Sequence, residues 1–449
     1  MADLKIVLVG GGSVTWTPGL VGKILAQPHL GGAHIVLHDI DAEALDLTYR
    51  LSMMHKDKMG SACTFEQTTD IDRALDGADY VLVAISTGGL VSMRADLEIP
   101  EKYGIYQTVG DTTGPGGLVR ALRNVPVFHH LAQAMIQHCP DAWMLNLTNP
   151  LSALTRTVNR NGIKALGLCH GVLGVAREYA RFLGVPVSRL AYVNSGIDHC
   201  SWFTHMTVDG RDAWEILRER GVDEWLSLPT AQAAEDEAFA PLARLRVGLT
   251  VGRNLGALPA IGDRHLAEFL PTFLQGKENV ERYGLVRTTI ADRAANYDAK
   301  RAEIHRVLSG EEPLVVAEPT DVLGERQADD VGAWIAALEG KTVIEDNLNA
   351  PNIGQVPQLP LGAIVETRGV LDGAGFHPLA SPLPPQLEAI VRPHVLREEL
   401  TLGAALEGDF DKALTILSSD PLLMRPEDAR PMLEEMIAAT RAWLPQFPA

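Results

Sequence analysis

Four cysteines in 449 residues are too few to staple a chain of this size. A disulfide framework is excluded as its organising device, and reduced thiols available for other work are expected instead. No stretch approaches the roughly 20 uninterrupted apolar residues that span a bilayer. The first residues, MADLKIVLVGGG, enter a strand pattern at once, without the charged, apolar and small-residue succession of a secretory leader. A cytoplasmic location is the expectation. Lys and Arg form no long runs, and 39 of them against 57 Asp and Glu leave a formal charge of −18. That excludes a general nucleic-acid grip, which relies on clustered cations. An anionic small molecule remains open, because one local arginine is enough to hold a carboxylate.

With 46% apolar and 21% charged residues the chain can bury a large core, and its length predicts two intimately packed domains. Five short apolar runs stand out, at residues 5–9, 34–39, 78–85, 142–147 and 165–169. The second ends on an acid, Asp39, the others end in loops rich in Gly, Ser, Thr, Asn or His, and helical patterns separate them. Continuous apolar strands alternating with helices predict an α/β fold, a Rossmann-type doubly wound parallel sheet covered on both faces. Ligands collect at the carboxyl ends of such strands, so one shared crevice is expected there. The remainder mixes helical patterns at 212–220, 292–307 and 330–338 with a strand candidate at 363–367. It is read as a mixed α/β domain folded back on the first, giving a dinucleotide-binding domain over 1–195 and a substrate and oligomerisation domain over 196–449.

Gly10-x-Gly12 sits between a strand and a helix, where backbone amides can face a pyrophosphate without Cβ obstruction. Thr15 occupies the place of the usual third glycine. Asp39, ending the second strand, is placed to bind an adenosine ribose, and its charge favours NAD over NADP. The plainer reading is a glycine turn beside a strand-end acid.

Cys169 and His170 end a strand in GLCHG, and His199 follows in SGIDHCSW. One thiolate and one imidazole suit a divalent transition metal and leave positions open for substrate oxygens. The same pair also reads as a buried thiol and a satisfied core histidine, and Cys200 is a rival ligand by proximity. Asn149, before Pro150, offers an amide to a ligand hydroxyl or simply makes a turn. Asp111, in GDTTGPGG, is placed to line the same crevice. GDRH packs Asp263, Arg264 and His265 behind one glycine, with a plain helix cap as the alternative.

Taken in order, MADLKIVLVGGGS, GIYQTVGDTTGPGG, LNLTNP, LCHG, GIDHCSWF, GDRHLAEFLP and NAPNIGQVPQLPLGAIVET resemble the NAD- and manganese-dependent glycosidases of glycoside hydrolase family four. The resemblance covers most of the chain and implies a lactate/malate dehydrogenase-like arrangement, two cofactors and a homodimer or homotetramer. It makes Cys169 and His199 ligands of Mn2+ or another divalent metal, with Asn149 on the sugar hydroxyls. Gly10, Gly12, Ser13 and Asp39 would hold NAD, with Asn146 on the nicotinamide side. It further implies oxidation of the sugar at C3, loss of the C2 proton to Asp263 and protonation of the leaving oxygen by His170.

Cys-His-Gly at the metal cysteine, instead of Cys-Asn or Cys-Asp, resembles members acting on non-phosphorylated sugars. The other motifs resemble the α-galacturonidase branch, so an α-linked uronic acid is expected, galacturonide ahead of glucuronide, its carboxylate held by Arg264 or Arg94. Asp198 departs from the family's Asn before the metal histidine, which adds a carboxylate to the first or second shell. The rival expectations are an α-glucoside or C6-sulfonated glucoside, a 2-hydroxyacid dehydrogenase, or an NAD-binding sensor without catalysis.

Overall fold

Strands that are apolar on both sides can only be buried between two layers, and the first half of the chain is built that way. In the computed structural model, which describes residues 4–316 and 330–447, the parallel strands are β1 (Lys5–Val9), β2 (His34–His38), β3 (Thr64–Thr68), β4 (Tyr80–Val83), β5 (Trp143–Asn146) and β6 (Lys164–Gly167). Their order is 3-2-1-4-5-6, the doubly wound arrangement, with its switch between β1 and β4. Alternate side chains go to opposite cores. Val7, Val9, Val36, Val81, Val83 and Met144 join one, while Ile6, Leu8, Ile35, Leu37, Leu82 and Leu145 join the other.

A second sheet follows, formed by β7 (Leu190–Ile197), β8 (Cys200–Val208), β9 (Arg211–Asp212) and β10 (Leu258–Pro259) with antiparallel pairing. The chain then returns to the first sheet. β11 (Ile344–Pro351) runs antiparallel beside β6, with Asn349 opposite Gly167. β12 (Ile364–Asp372) and β13 (Gly375–Pro378) extend it further. The sheet thus draws strands from both sides of residue 195, which itself lies within β7. β12 also packs against β7, locking the two sheets together.

The apolar runs of the sequence are β1, β2, β4, β5 and β6; β3 has no such run. Its TFEQT side chains are exposed or half-buried at the sheet edge, so burial leaves no apolar signature there. Helices occupy Ala213–Glu219, Ile290–Ser309 and Val331–Leu338, as the periodicity predicts. No helix among the described residues is long and apolar enough to cross a membrane.

One buried ion pair fixes the helix that feeds the crevice. Arg123, on helix Gly114–His138, donates from both terminal nitrogens to Asp96 of helix Gly89–Lys102, at 2.8 and 2.6 Å. Neither side chain is more than 1% exposed. Removing one partner strands the other charge in the core, so Arg123→Leu is expected to cost about 3–5 kcal/mol. The readout is a lower urea midpoint; an unchanged midpoint would mean that the pair contributes nothing net.

Candidate active site

At the end of β1 the backbone turns sharply. Gly10 has φ +90, and a Cβ there would meet the Ala84 carbonyl oxygen at 2.2 Å, so only glycine fits. The amides of Gly10 and Gly11 donate to the His38 carbonyl. Thr17 and Thr48 donate their hydroxyls to the Gly11 carbonyl, at 2.9 and 2.7 Å. Ser13 accepts from the Trp16 amide at 3.2 Å, ahead of the helix Thr17–Ala26. Asp39 accepts from the Gly12 amide at 2.9 Å and from the Asp41 amide at 3.1 Å. These bonds clip the glycine turn to the end of β2. The half-buried carboxylate retains lone pairs for a ribose diol. A glycine turn opening a helix and an acid beside it, at the switch point of the sheet, fit a dinucleotide.

The second constellation gathers at the end of β6. Cys169 stands just before the helix Gly171–Leu183, and its Sγ accepts from the Gly171 amide at 3.3 Å. Gly171 has a packing reason of its own, since a Cβ would meet Ile261 Cδ1 at 2.1 Å. Facing the thiol is the turn between β7 and β8. Ile197 pairs with Cys200, leaving Asp198 and His199 to reverse the chain, with His199 at φ 66. Ligand atoms of Cys169, Asp198 and His199 lie within 4.8 Å of one another. Those of Asp111, His199 and His265 form a second such group sharing the same histidine. The rings of His199 and His265 are 3.7 Å apart at 31°. Thr112 donates its hydroxyl to Asp111 at 2.9 Å, and the same oxygen lies 2.7 Å from His199 Nδ1. Asn149 donates to Asp111 at 3.2 Å, and Arg120 holds the Asn149 carbonyl at 3.0 Å. A thiol, a carboxylate and an imidazole form a donor set suited to a divalent transition ion. Both Asp198 oxygens are buried without an N–H or O–H donor, which fits a cation there. Cys200, the rival thiol, is fully buried, and desolvation drives its ionisation up to about 12.

Charge around this cluster is divided. Burial would raise Asp111, but the imidazoles of His265 and His199, Arg120 and the Thr112 hydroxyl hold it at about 2. Burial lowers His265, aided by Arg264, His170 and Arg293 against the pull of Asp111. Its Nδ1 is buried with no hydrogen-bond partner. His170 is exposed above the helix start, close enough to act electrostatically on both His199 and His265. Arg264 donates to the Thr288 hydroxyl at 2.5 Å and lies within electrostatic reach of Asp111 and Arg293.

Three of the sequence candidates stand elsewhere. Asp263 accepts from the amides of Val247 and Gly248, both at 2.8 Å, at the head of the helix Arg246–Leu255. Its carboxylate caps that helix, while His265 enters the cluster. Asn146 is fully buried, and its amide serves Thr148, Leu151 and Thr155. It shapes the turn that carries Asn149 and does not face the crevice. Arg94 pairs with Glu98 on an exposed helix face. His265 and Thr112 lie in the GDRH and GDTTGPGG segments, which do not single them out, and Arg120 lies in no motif; each owes its place to tertiary packing.

Family 4 glycosyl hydrolase is the family matched by residues 5–185, and residues 194–423 match its C-terminal domain. An alpha-galacturonidase of Thermoanaerobacterium saccharolyticum is 33% identical, over 98% of this chain and 97% of its own length. An alpha-galacturonidase of Bacillus subtilis is 32% identical over 97% of both. An alpha-galactosidase of Rhizobium meliloti is 29% identical over the whole chain and 90% of its own length. Among solved structures, one from Bacillus subtilis superposes with a TM-score of 0.84 at 32% identity, covering 97% of this chain and 99% of that one. A 6-phospho-alpha-glucosidase from gut microorganisms, in complex with NAD and Mn2+, superposes with a TM-score of 0.81 at 22% identity. That pair spans 99% of this chain and 100% of the other.

Two outcomes are expected from these placements. Asp263→Ala leaves helix-head amides without their acceptor and should cost about 0.5–2 kcal/mol, seen as a lower melting temperature with Mn2+ affinity unchanged. Glu268 accepts from the Val109 and Gly110 amides at 2.7 and 2.8 Å. Burial first, then the Asp111 charge, raises it to about 7. For a carboxyl raised in the folded state, stability is full below its unfolded value and is lost as pH rises through the folded one. The melting temperature should therefore fall between pH 5 and 8, and Glu268→Gln should flatten that fall; identical slopes in both proteins would refute the assignment.

Proposed function

The chain belongs to the family 4 glycosyl hydrolases, and from that premise we propose that it hydrolyses α-linked uronosides, galacturonides ahead of glucuronides, using NAD and a divalent metal such as Mn2+. The observation that carries the reading is the meeting of Cys169 and His199 beside Asp111, Asn149 and His265, at the carboxyl end of a strand three places from the one that leads into the glycine turn. Relatives named alpha-galacturonidases that match nearly the full length support the choice of sugar.

Gly10, Gly12, Ser13 and Asp39 would hold NAD, and Cys169 with His199 would hold the cation. When bound, the two supply a reversible hydride acceptor and a Lewis acid for the sugar oxygens. The remaining work falls to the side chains. Asn149 and Asp111 orient neighbouring hydroxyls, one donating and the other accepting. His265 takes the proton from C2: its lowered basicity keeps it neutral near pH 7, and its Nδ1 has no other partner. His170, exposed at the rim, protonates the departing oxygen. Arg264, next to it in the same electrostatic neighbourhood, meets the substrate carboxylate.

The test is release of nitrophenol from p-nitrophenyl α-galacturonide, with α-glucuronide and α-galactoside alongside, in reducing buffer containing NAD and Mn2+. Activity is expected to need both additives, to prefer the uronides and to leave no net NADH. Turnover that persists without NAD would sink the proposal, and a preference for the galactoside would move the substrate to a neutral sugar. His265→Gln should lower kcat by about 10²–10⁴ and suppress solvent exchange at C2. If Asp263→Asn does so while His265→Gln does not, the base is Asp263.

A further inference from the structure

The family's metal reading names one thiolate and one imidazole, yet the turn that carries His199 brings a second anionic group to the same place. We propose that Asp198 is a third protein ligand of the cation, coordinating it together with Cys169 and His199. The inference rests on the metal-dependent reading given above.

Geometry supports it first. The turn between β7 and β8 has only two residues, so the backbone that sets the ring of His199 also sets the carboxylate of Asp198. Donor atoms of both fall within 4.8 Å of each other and of Cys169. The Asp198 Oδ2 stands 3.6 Å from His199 Nδ1, beyond hydrogen-bond length.

Donor accounting supports it independently. Asp198 is 0% exposed, neither of its oxygens has an N–H or O–H donor, and its one side-chain partner is the weak thiol donor of Cys169, the other proposed ligand. A buried carboxylate in that condition needs a cation or a proton. The competing group around Asp111 differs on this point, since the Thr112 hydroxyl and the Asn149 amide already serve that carboxylate. Of the two acids beside His199, Asp198 is the one whose oxygens no N–H or O–H donor serves.

Charge and open positions agree. A thiolate and a carboxylate together neutralise a divalent ion in a buried site, which a thiolate and an imidazole do not. Three protein ligands on a six-coordinate ion leave three positions, enough for two sugar oxygens and a water. The carboxylate also adds a hard oxygen to a soft sulfur, and tilts the site toward Mn2+ relative to a thiolate–imidazole pair.

The test uses full-length, metal-free protein and Mn2+ alone, without NAD or sugar. Affinity is measured by competition with a fluorescent chelator for the parent, Asp198→Asn and Cys169→Ala, and melting curves check folding. Asp198→Asn should weaken Mn2+ binding by at least tenfold, while its metal-free melting temperature is no lower than the parent's, since a buried acid with no N–H or O–H donor has been removed. A crystal of the Mn2+-loaded parent should place an Asp198 oxygen about 2.0–2.2 Å from the ion, the span of metal–carboxylate bonds. Two results would overturn the inference: parent-like affinity in Asp198→Asn, or an Asp198 carboxylate outside the coordination shell whatever the affinity. If Cys169→Ala loses binding in either case, the metal centre stands without Asp198. If Cys169→Ala also binds as the parent does, the metal reading itself falls.

Discussion

The constellation exists because two sheets meet where β6 ends and the β7–β8 turn begins. That turn has two residues, and one of them, His199, is held in the left-handed region with φ 66. A non-glycine residue there costs on the order of 1–3 kcal/mol and persists only when its surroundings over-determine it. The Thr112 hydroxyl, the tilted His265 ring against it and near-complete burial all act on that side chain. Bringing the turn to Cys169 is the task of distant strands. β12 packs against β7, while β11, paired to β12, reaches β6 through Asn349 and Gly167. Strands beyond residue 340 thus support a site built from residues 111–265.

How much of this was legible depends on whether a residue's role is local. β1, β2, β4, β5 and β6 show in the sequence because burial on both faces demands unbroken apolar runs. β3 does not, because an edge strand with polar side chains carries no such pattern. The glycine turn and Asp39 could be placed because their bonds join adjacent strand ends, Gly12 to Asp39. The return of β11 to β13 could not, since a pairing partner nearly two hundred residues away leaves no local trace.

Within the site the same rule divides neighbours. GDRH offers three ionisable side chains on one helical turn, and residues two apart on a helix point to different sides. Sequence cannot tell which side faces the crevice. Asp263 turns back to the head of the preceding helix, and His265 turns toward His199. Asn146 and Asn149 separate likewise, one consumed by the turn it sits in and the other held out toward Asp111. Arg94 and Arg264 look alike as cations, but only Arg264 follows a segment that tertiary packing draws into the cluster.

Buried acids make the underlying economy of the site visible. Asp96 has the guanidinium of Arg123. Asp263 has the amides at a helix head, and Glu268 has two loop amides and the Thr108 hydroxyl. Glu366 has the Asn349 amide on one oxygen, and Asp111 has a hydroxyl and an amide. Each was buried together with N–H or O–H donors that lessen the cost of desolvation. Asp198 differs, since neither of its oxygens has an N–H or O–H donor and it lies beside a thiol and an imidazole. Its one side-chain partner is the Cys169 thiol, itself a proposed ligand. The place of Asp198 at the junction of two sheets, in a turn whose neighbour is itself strained, sets a buried charge where the proposed cation would meet it, and a local cost in stability is what such a site would require.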